Sequence, residues 1–138
     1  MNMDMEDRKQ TVVEVAEFCG SGYYEACIEK SRSMQKIETD PLLCGWYFFY
    51  EYQSLFMLKR YKEAYNLFNS ISSSDSGVLV FTGNNGIWIY SVAMELAYRL
   101  KDKIGLNWIG KKAMELARND LERSNQIADN WQQMCENL

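Results

Sequence analysis

Apolar residues near the start of the chain return at a helical interval. Val12, Val15, Ala16 and Cys19 fall at i, i+3, i+4 and i+7, which predicts a helix over about 7–19. CGSG at 19–22 ends it, because glycine tolerates the positive φ of a helix C-cap. A second helix follows over about 23–37. ETDP at 38–41 then interrupts the chain, with Asp40 suited to cap the next helix and Pro41 suited to its first turn. That third helix, over about 41–59, carries WYFFYEYQSLFML. Its aromatics run almost all the way round, so more than one face should be buried. A strand is the local alternative for WYFFY, given the β propensity of aromatics. Helix is preferred because QSLFMLKR extends the run well past strand length.

RYKEAYNLF at 60–68 opens a fourth helix that ends near Ser72. SSSDSGVLVFTGNNG, residues 72–86, has no helical period and reads as the one long irregular connection. Its apolar centre, residues 78–81, either plugs down over an exposed helix pair or binds a partner. A fifth helix over about 87–100 has Ile87, Tyr90, Met94 and Ala97 in register. A sixth runs over about 104–118 and a seventh over about 120–137. The fold class expected is all-α, with antiparallel hairpins at about 7–37, 41–72 and 87–118 plus a C-terminal helix, all in one domain of 1–138.

The chain echoes itself. RLKDKIGLNWIG (99–110) aligns under MLKRYKEAYNLF (57–68) at an offset of 42, pairing Leu58 with Leu100 and Lys59 with Lys101. The same offset pairs Trp46 with Trp88 and Phe48 with Tyr90. An offset of 38 relates GYYEACIEK (22–30) to RYKEAYNLF. Periods of this size mark arrays of helical hairpins that bury their faces by stacking. These residues resemble the tetratricopeptide-repeat family. Tyr23, Glu25 and Ala26, and again Tyr61, Glu63 and Ala64, look like its Y-x-E-A element. Phe68 and Ala113 match later packing positions, and Phe48 and Tyr90 match an aromatic early in the first helix. The sequence departs where the family wants a small residue at the helix crossing, since Tyr52, Met94 and Glu14 stand there. An unrelated helical bundle is the alternative. The resemblance implies a concave groove lined by Trp46, Phe49, Gln53, Phe56 and Met57 from one repeat. The next repeat would offer Trp88, Ser91, Glu95, Tyr98 and Arg99. The competing reading puts these rings in the core.

Composition narrows the picture. Apolar residues at 47% are too many for disorder, and one proline with eight glycines suits long helices. The longest apolar run, LLCGWYFFY, is too short for a bilayer, which needs about 20 residues. MNMDMEDRKQ is charged and no apolar core follows it, so a cytoplasmic protein is expected. The net charge of −4 is uneven. Residues 1–29 hold seven acids against Arg8 and Lys9. Residues 30–118 hold twelve bases against eight acids, and residues 119–138 hold four acids against Arg123.

Chemistry is sparse. There is no histidine, so the commonest general base and metal ligand is missing. Cysteines 19, 27, 44 and 135 form no C-x-x-C pair and read as buried reduced thiols. No phosphate loop or nucleophile elbow is present. No catalytic, metal or cofactor site is expected, and the chain reads as non-enzymatic. The reading taken is a protein–protein interaction protein, a small bacterial inhibitor of the immunity type that neutralises a cognate, basic toxin domain. Glu14 and Glu17 would meet that partner. The alternatives are a chaperone or adaptor holding a peptide, or a nucleic-acid regulator using Lys59, Arg60, Lys62, Lys101 and Lys103. The pI near 4.9 argues against the last.

Overall fold

The computed structural model of the chain describes residues 4–72 and 83–138. Seven helices follow in order: α1 Met5–Gly20, α2 Tyr24–Gln35, α3 Pro41–Met57, α4 Tyr61–Ser72, α5 Gly83–Arg99, α6 Lys103–Leu116 and α7 Leu121–Asn137. No strand occurs among the described residues. The apolar segment 78–81 lies outside them. Helix α5 begins at Gly83, four residues before the periodicity places it. The chain forms two compact units, Met1–Val80 with α1–α4 and Phe81–Leu138 with α5–α7.

The helix starts follow from short acids. Asp40 accepts from the backbone N–H of Leu42 at 2.9 Å and of Leu43 at 3.4 Å, and Pro41 occupies the first turn. Asp4, Asp102 and Asp120 cap α1, α6 and α7 in the same way, each accepting from the N–H three residues on. Each cap satisfies a donor that has no partner inside the helix.

Three helix ends share one backbone design. After α1, α3 and α5 the residue with positive φ is Gly22, Lys59 and Lys101. Tyr23 N–H then bonds Phe18 O at 2.8 Å, Arg60 bonds Leu55 at 2.9 Å and Asp102 bonds Ala97 at 2.8 Å. The inner bonds, from Gly22 to Cys19, Lys59 to Phe56 and Lys101 to Tyr98, complete a Schellman motif each time. The α6–α7 junction is built differently, with no positive φ. Three hairpins and a lone last helix are thus distinguishable in the backbone itself.

These turns confirm the offset of 42 between Lys59 and Lys101 and set the first offset at 37 instead of 38. The first i→i−4 bond of each second helix comes from Cys27, Ala64 and Leu106, all fully buried. The partner of Ala64 is therefore Cys27, whereas Ala26 is exposed. Likewise Val15, and not Glu14, stands with Tyr52 and Met94, and all three are buried. The chain writes Tyr23-Tyr24 in tandem, so either tyrosine fits a sequence alignment. Only the turn geometry selects Tyr24.

In the first unit α3 is central and packs against α1, α2 and α4. Leu43, Gly45, Tyr47, Phe48, Glu51, Tyr52, Ser54 and Leu55 are buried on an arc of about 200°. WYFFY is helix, and more than one of its faces is covered. Val15, Cys19, Cys27, Met34 and Tyr47 form one buried cluster, with Val12, Phe18, Tyr24 and Tyr50 packed around it. Phe68 of α4 closes over Tyr52 with ring centroids 6.2 Å apart.

The second unit is a hairpin of α5 and α6 with α7 laid mainly along α6. Leu106, Ile109, Gly110 and Ala113 form the inner face of α6. Gly110 sits directly under the indole of Trp131, where a Cβ would meet ring carbons at 2.4 and 2.5 Å. Trp131 Nε1 donates to Asn107 Oδ1 at 3.2 Å, which fixes the ring over that gap.

Candidate functional site

Helix α3 covers its buried arc with partners and leaves a second stripe that is only half-buried. Trp46, Phe49, Gln53 and Phe56 fall there, at i, i+3, i+7 and i+10. The rings pack on one another and their neighbours. Trp46 meets Phe49 edge-on at 5.7 Å and stacks on Tyr50 at 6.0 Å, and Phe56 lies 5.9 Å from Tyr61. Neither the core reading nor the open-groove reading describes them fully, because each ring has one covered and one wet side. Amphipathic rings of this kind supply contact area at low entropic cost.

The matching stripe of α5 is Trp88, Ser91, Glu95 and Tyr98, also half-buried, followed by exposed Arg99. Glu95 and Arg99 are engaged with each other at 3.0 Å, an i,i+4 pair within one helix. Trp88 has different company. With Ile87 and Ser91 it walls one side of a cleft whose other side is Arg123, Gln126, Ile127 and Asn130 of α7. Sequence reasoning missed that polar row. Its i, i+3, i+7 spacing was visible, but nothing local says that α7 lies beside the start of α5.

Glu14 and Glu17 are exposed on α1, together with Glu6. None of the three joins an ion pair among the described residues. Most of the acids that do are held to arginine. The Glu51 carboxylate, buried in α3, accepts from Arg32 Nε at 2.9 Å and Gln35 Nε2 at 2.7 Å. Glu38, with its side chain 1% exposed, accepts from Arg8 Nε at 3.1 Å and from the N–H groups of Thr39 and Asp40 at 2.9 Å. Arg8 holds the Glu38 carboxyl below its usual range. Arg60 bridges Glu25 and Glu63, and the Glu63 carboxyl is lowered by that contact.

Two thiols, Cys19 and Cys27, are buried beside Ser54, whose Oγ lies 3.7 Å from Cys19 Sγ. Cys27 Sγ donates to Tyr50 O at 3.6 Å. The Cys27 thiol is pushed up by its contact with Cys19 and by burial. It has the setting of a packing residue and not of a nucleophile. Among the described residues no three of Cys, Asp and Glu are placed to hold a metal ion. No described helix is long and apolar enough to cross a membrane. Among the described residues the surfaces open to function include an acidic helix face, two half-wet aromatic stripes and the cleft between α5 and α7. No family model, no curated protein and no solved structure matches this chain.

Proposed function

We propose that this chain is a non-enzymatic protein-binding protein of helical-hairpin repeat type, related in design to tetratricopeptide repeats. Its partner is a basic protein, in the specific reading a toxin domain that it neutralises in the cytoplasm. The observation that carries the reading is the division among the acids. Glu38, Glu51 and Glu63 serve the fold through arginine, while Glu6, Glu14 and Glu17 stand on one helix and join no ion pair among the described residues. An excess of acids on an exposed helix, here Glu6, Glu14 and Glu17 against Lys9, accelerates encounter with a basic surface. The repeat reading is supported by the three equivalent Schellman turns.

The test begins with co-purification from the native host, read by mass spectrometry. Association of the recovered partner with wild type is then compared with the variant Glu14→Lys, Glu17→Lys. Reversal should slow association about tenfold or more at low salt and flatten its salt dependence, with helicity unchanged. An on-rate indifferent to both reversal and salt would sink the acidic-face reading.

A second reading, a chaperone or adaptor holding an extended peptide, is favoured by the α5–α7 cleft. There Gln126 and Asn130 line the same cleft as Trp88. Paired amides suit a peptide main chain, and an indole suits an apolar side chain.

A further inference from the structure

A knot of small polar groups is sealed in the core of the first unit, where α1, α2 and α3 meet. Cys19 near the end of α1 and Cys27 near the start of α2 are 5% and 0% exposed. The Ser54 hydroxyl on α3 lies 3.7 Å from Cys19 Sγ, and Cys27 Sγ donates to Tyr50 O at 3.6 Å. Tyr50 and Ser54 are i,i+4 neighbours on one turn of α3. Both thiols therefore converge on the same turn, and they lie within hydrogen-bonding reach of each other. Ser31, one turn further along α2, is buried against Cys27.

The two thiols are not alike. Contact with Cys27 draws the Cys19 thiol down against the effect of burial, and the Ser54 hydroxyl adds to that. Cys27 is pushed up. Cys19 therefore has the greater thiolate character, and the thiolate is the form that reacts. It also stands next to an opening, because Gly20, Ser21, Gly22 and Tyr23 after it are all exposed. A helix end running into an exposed turn opens at low cost, which gives a small oxidant a way to Cys19. The other cysteines bond elsewhere, Cys44 to Glu38 O at 3.3 Å and Cys135 to Asn107 Oδ1 at 3.5 Å.

We propose that Cys19 and Cys27 are a modification site, at which hydrogen peroxide forms a reversible disulfide that staples α1 to α2. Cys19 Sγ, as thiolate, attacks one peroxide oxygen. The O–O bond breaks, hydroxide leaves and takes up a proton as water, and Cys19 becomes a sulfenic acid. Cys27 is a poor nucleophile toward a free oxidant, but it is already held against this sulfur. Its sulfur bonds Cys19 Sγ, the S–O bond breaks, and the departing hydroxide takes the Cys27 proton as a second water. Two thiols thus lose two electrons and two protons, and one peroxide becomes two waters. A disulfide holds its sulfurs about 2 Å apart, so oxidation shortens a contact that already exists. The cross-link restricts the unfolded chain and holds α1, with Glu14 and Glu17, to α2. In a reducing compartment such a bond is transient and serves as a sensor. The inference does not rest on the toxin reading.

The test is treatment of dilute, folded wild type with hydrogen peroxide, followed by unfolding and alkylation. Mass spectrometry should find the loss of two hydrogens, with Cys44 and Cys135 alkylated and Cys19 and Cys27 protected. Cleavage after Glu25, which stands between the two cysteines, should leave their peptides joined until a dithiol reductant is added. The oxidised protein should melt a few degrees higher. Cys27→Ala should stop at a sulfenic acid on Cys19 that dimedone traps, and Cys19→Ala should give neither product. A disulfide through Cys44 or Cys135 overturns the proposal. So does sulfinic acid on Cys19 without a disulfide, or a Cys19–Cys27 bond that forms only in urea. An oxidised form that melts lower overturns the stapling of α1 to α2. If circular dichroism finds a variant unfolded, the wild-type peptide map decides without it.

Discussion

The two units of this chain solve the packing problem with different materials. Among the described residues the buried polar and charged ones, Thr11, Ser31, Glu51 and Ser54, all lie in the first unit, as does the covered side chain of Glu38. Two of its ion pairs bury a carboxylate, Glu38 against Arg8 and Glu51 against Arg32. The second unit buries apolar and small side chains, and closes α6 on α7 through a glycine under an indole. The first unit therefore depends on charge being kept, and the second on volume being kept. A buried carboxylate that loses its cation retains its desolvation cost, whereas a tight van der Waals contact is insensitive to salt and pH.

Arg32→Ala should break this contrast most sharply. It leaves Glu51 buried with Gln35 as its remaining hydrogen-bonding partner, and should cost about 3 kcal/mol in urea unfolding. A loss under about 1 kcal/mol would mean that Glu51 is solvated and the pair is ornamental.

Gly110→Ala is the counterpart in the second unit. The added methyl meets the Trp131 ring and should cost about 1–3 kcal/mol by overpacking. The loss should be the same at low and high salt. The double variant Gly110→Ala, Trp131→Ala should recover part of the Gly110→Ala penalty relative to Trp131→Ala alone, since the clash is then gone. Additive losses would show that the two residues do not meet.

Acid should separate the units next. Arg8 lowers the folded-state pKa of Glu38 below its unfolded value, so the pair stabilises the first unit above the unfolded pKa. That contribution is lost as pH falls through the depressed folded value. Wild type should therefore lose stability on acidification below the ordinary carboxylate range, and Arg8→Gln should lose less over the same window. The check is melting temperature against pH for the two proteins. Parallel curves would remove the role given to this pair.

The smallest effects concern the shared turns. Lys59 and Lys101 hold the left-handed conformation that Gly22 adopts at the first hairpin. A side chain there costs about 1 kcal/mol, so Lys59→Gly and Lys101→Gly should each stabilise by about 0.5–1 kcal/mol. Gly22→Ala should destabilise by a similar amount. Loss of stability in either glycine variant, or none in Gly22→Ala, would mean that the turns only look alike.

Much of the fold could be read in advance because its signals are short-range. A cap, a proline or a glycine acts within one turn, so the seven helices and the break at Asp40–Pro41 were visible. Lys59 and Lys101 were paired correctly because the residues around them repeat. The tandem tyrosines Tyr23 and Tyr24 gave two local fits, and the register of the first hairpin depended on which backbone N–H reached Phe18 O. The candidate site was legible only in part. The half-wet stripes of α3 and α5 followed from helical periodicity, but the row Arg123, Gln126, Asn130 became a wall of the cleft only when α7 settled beside Trp88.

What the sequence by itself determined is therefore the helices, their ends and the near-repeat of their turns, because each depends on side chains a few residues apart. Tertiary structure decided which acids were taken up by the fold and which stayed on the surface. Glu51 lies inside an aromatic run and Glu14 inside an apolar stripe, and nothing local distinguishes their fates. Arg32 on a neighbouring helix neutralises Glu51 at 2.9 Å, while Glu14 finds no such cation among the described residues. A charge can be buried only where a distant part of the chain brings its opposite, and that pairing exists only after the helices pack.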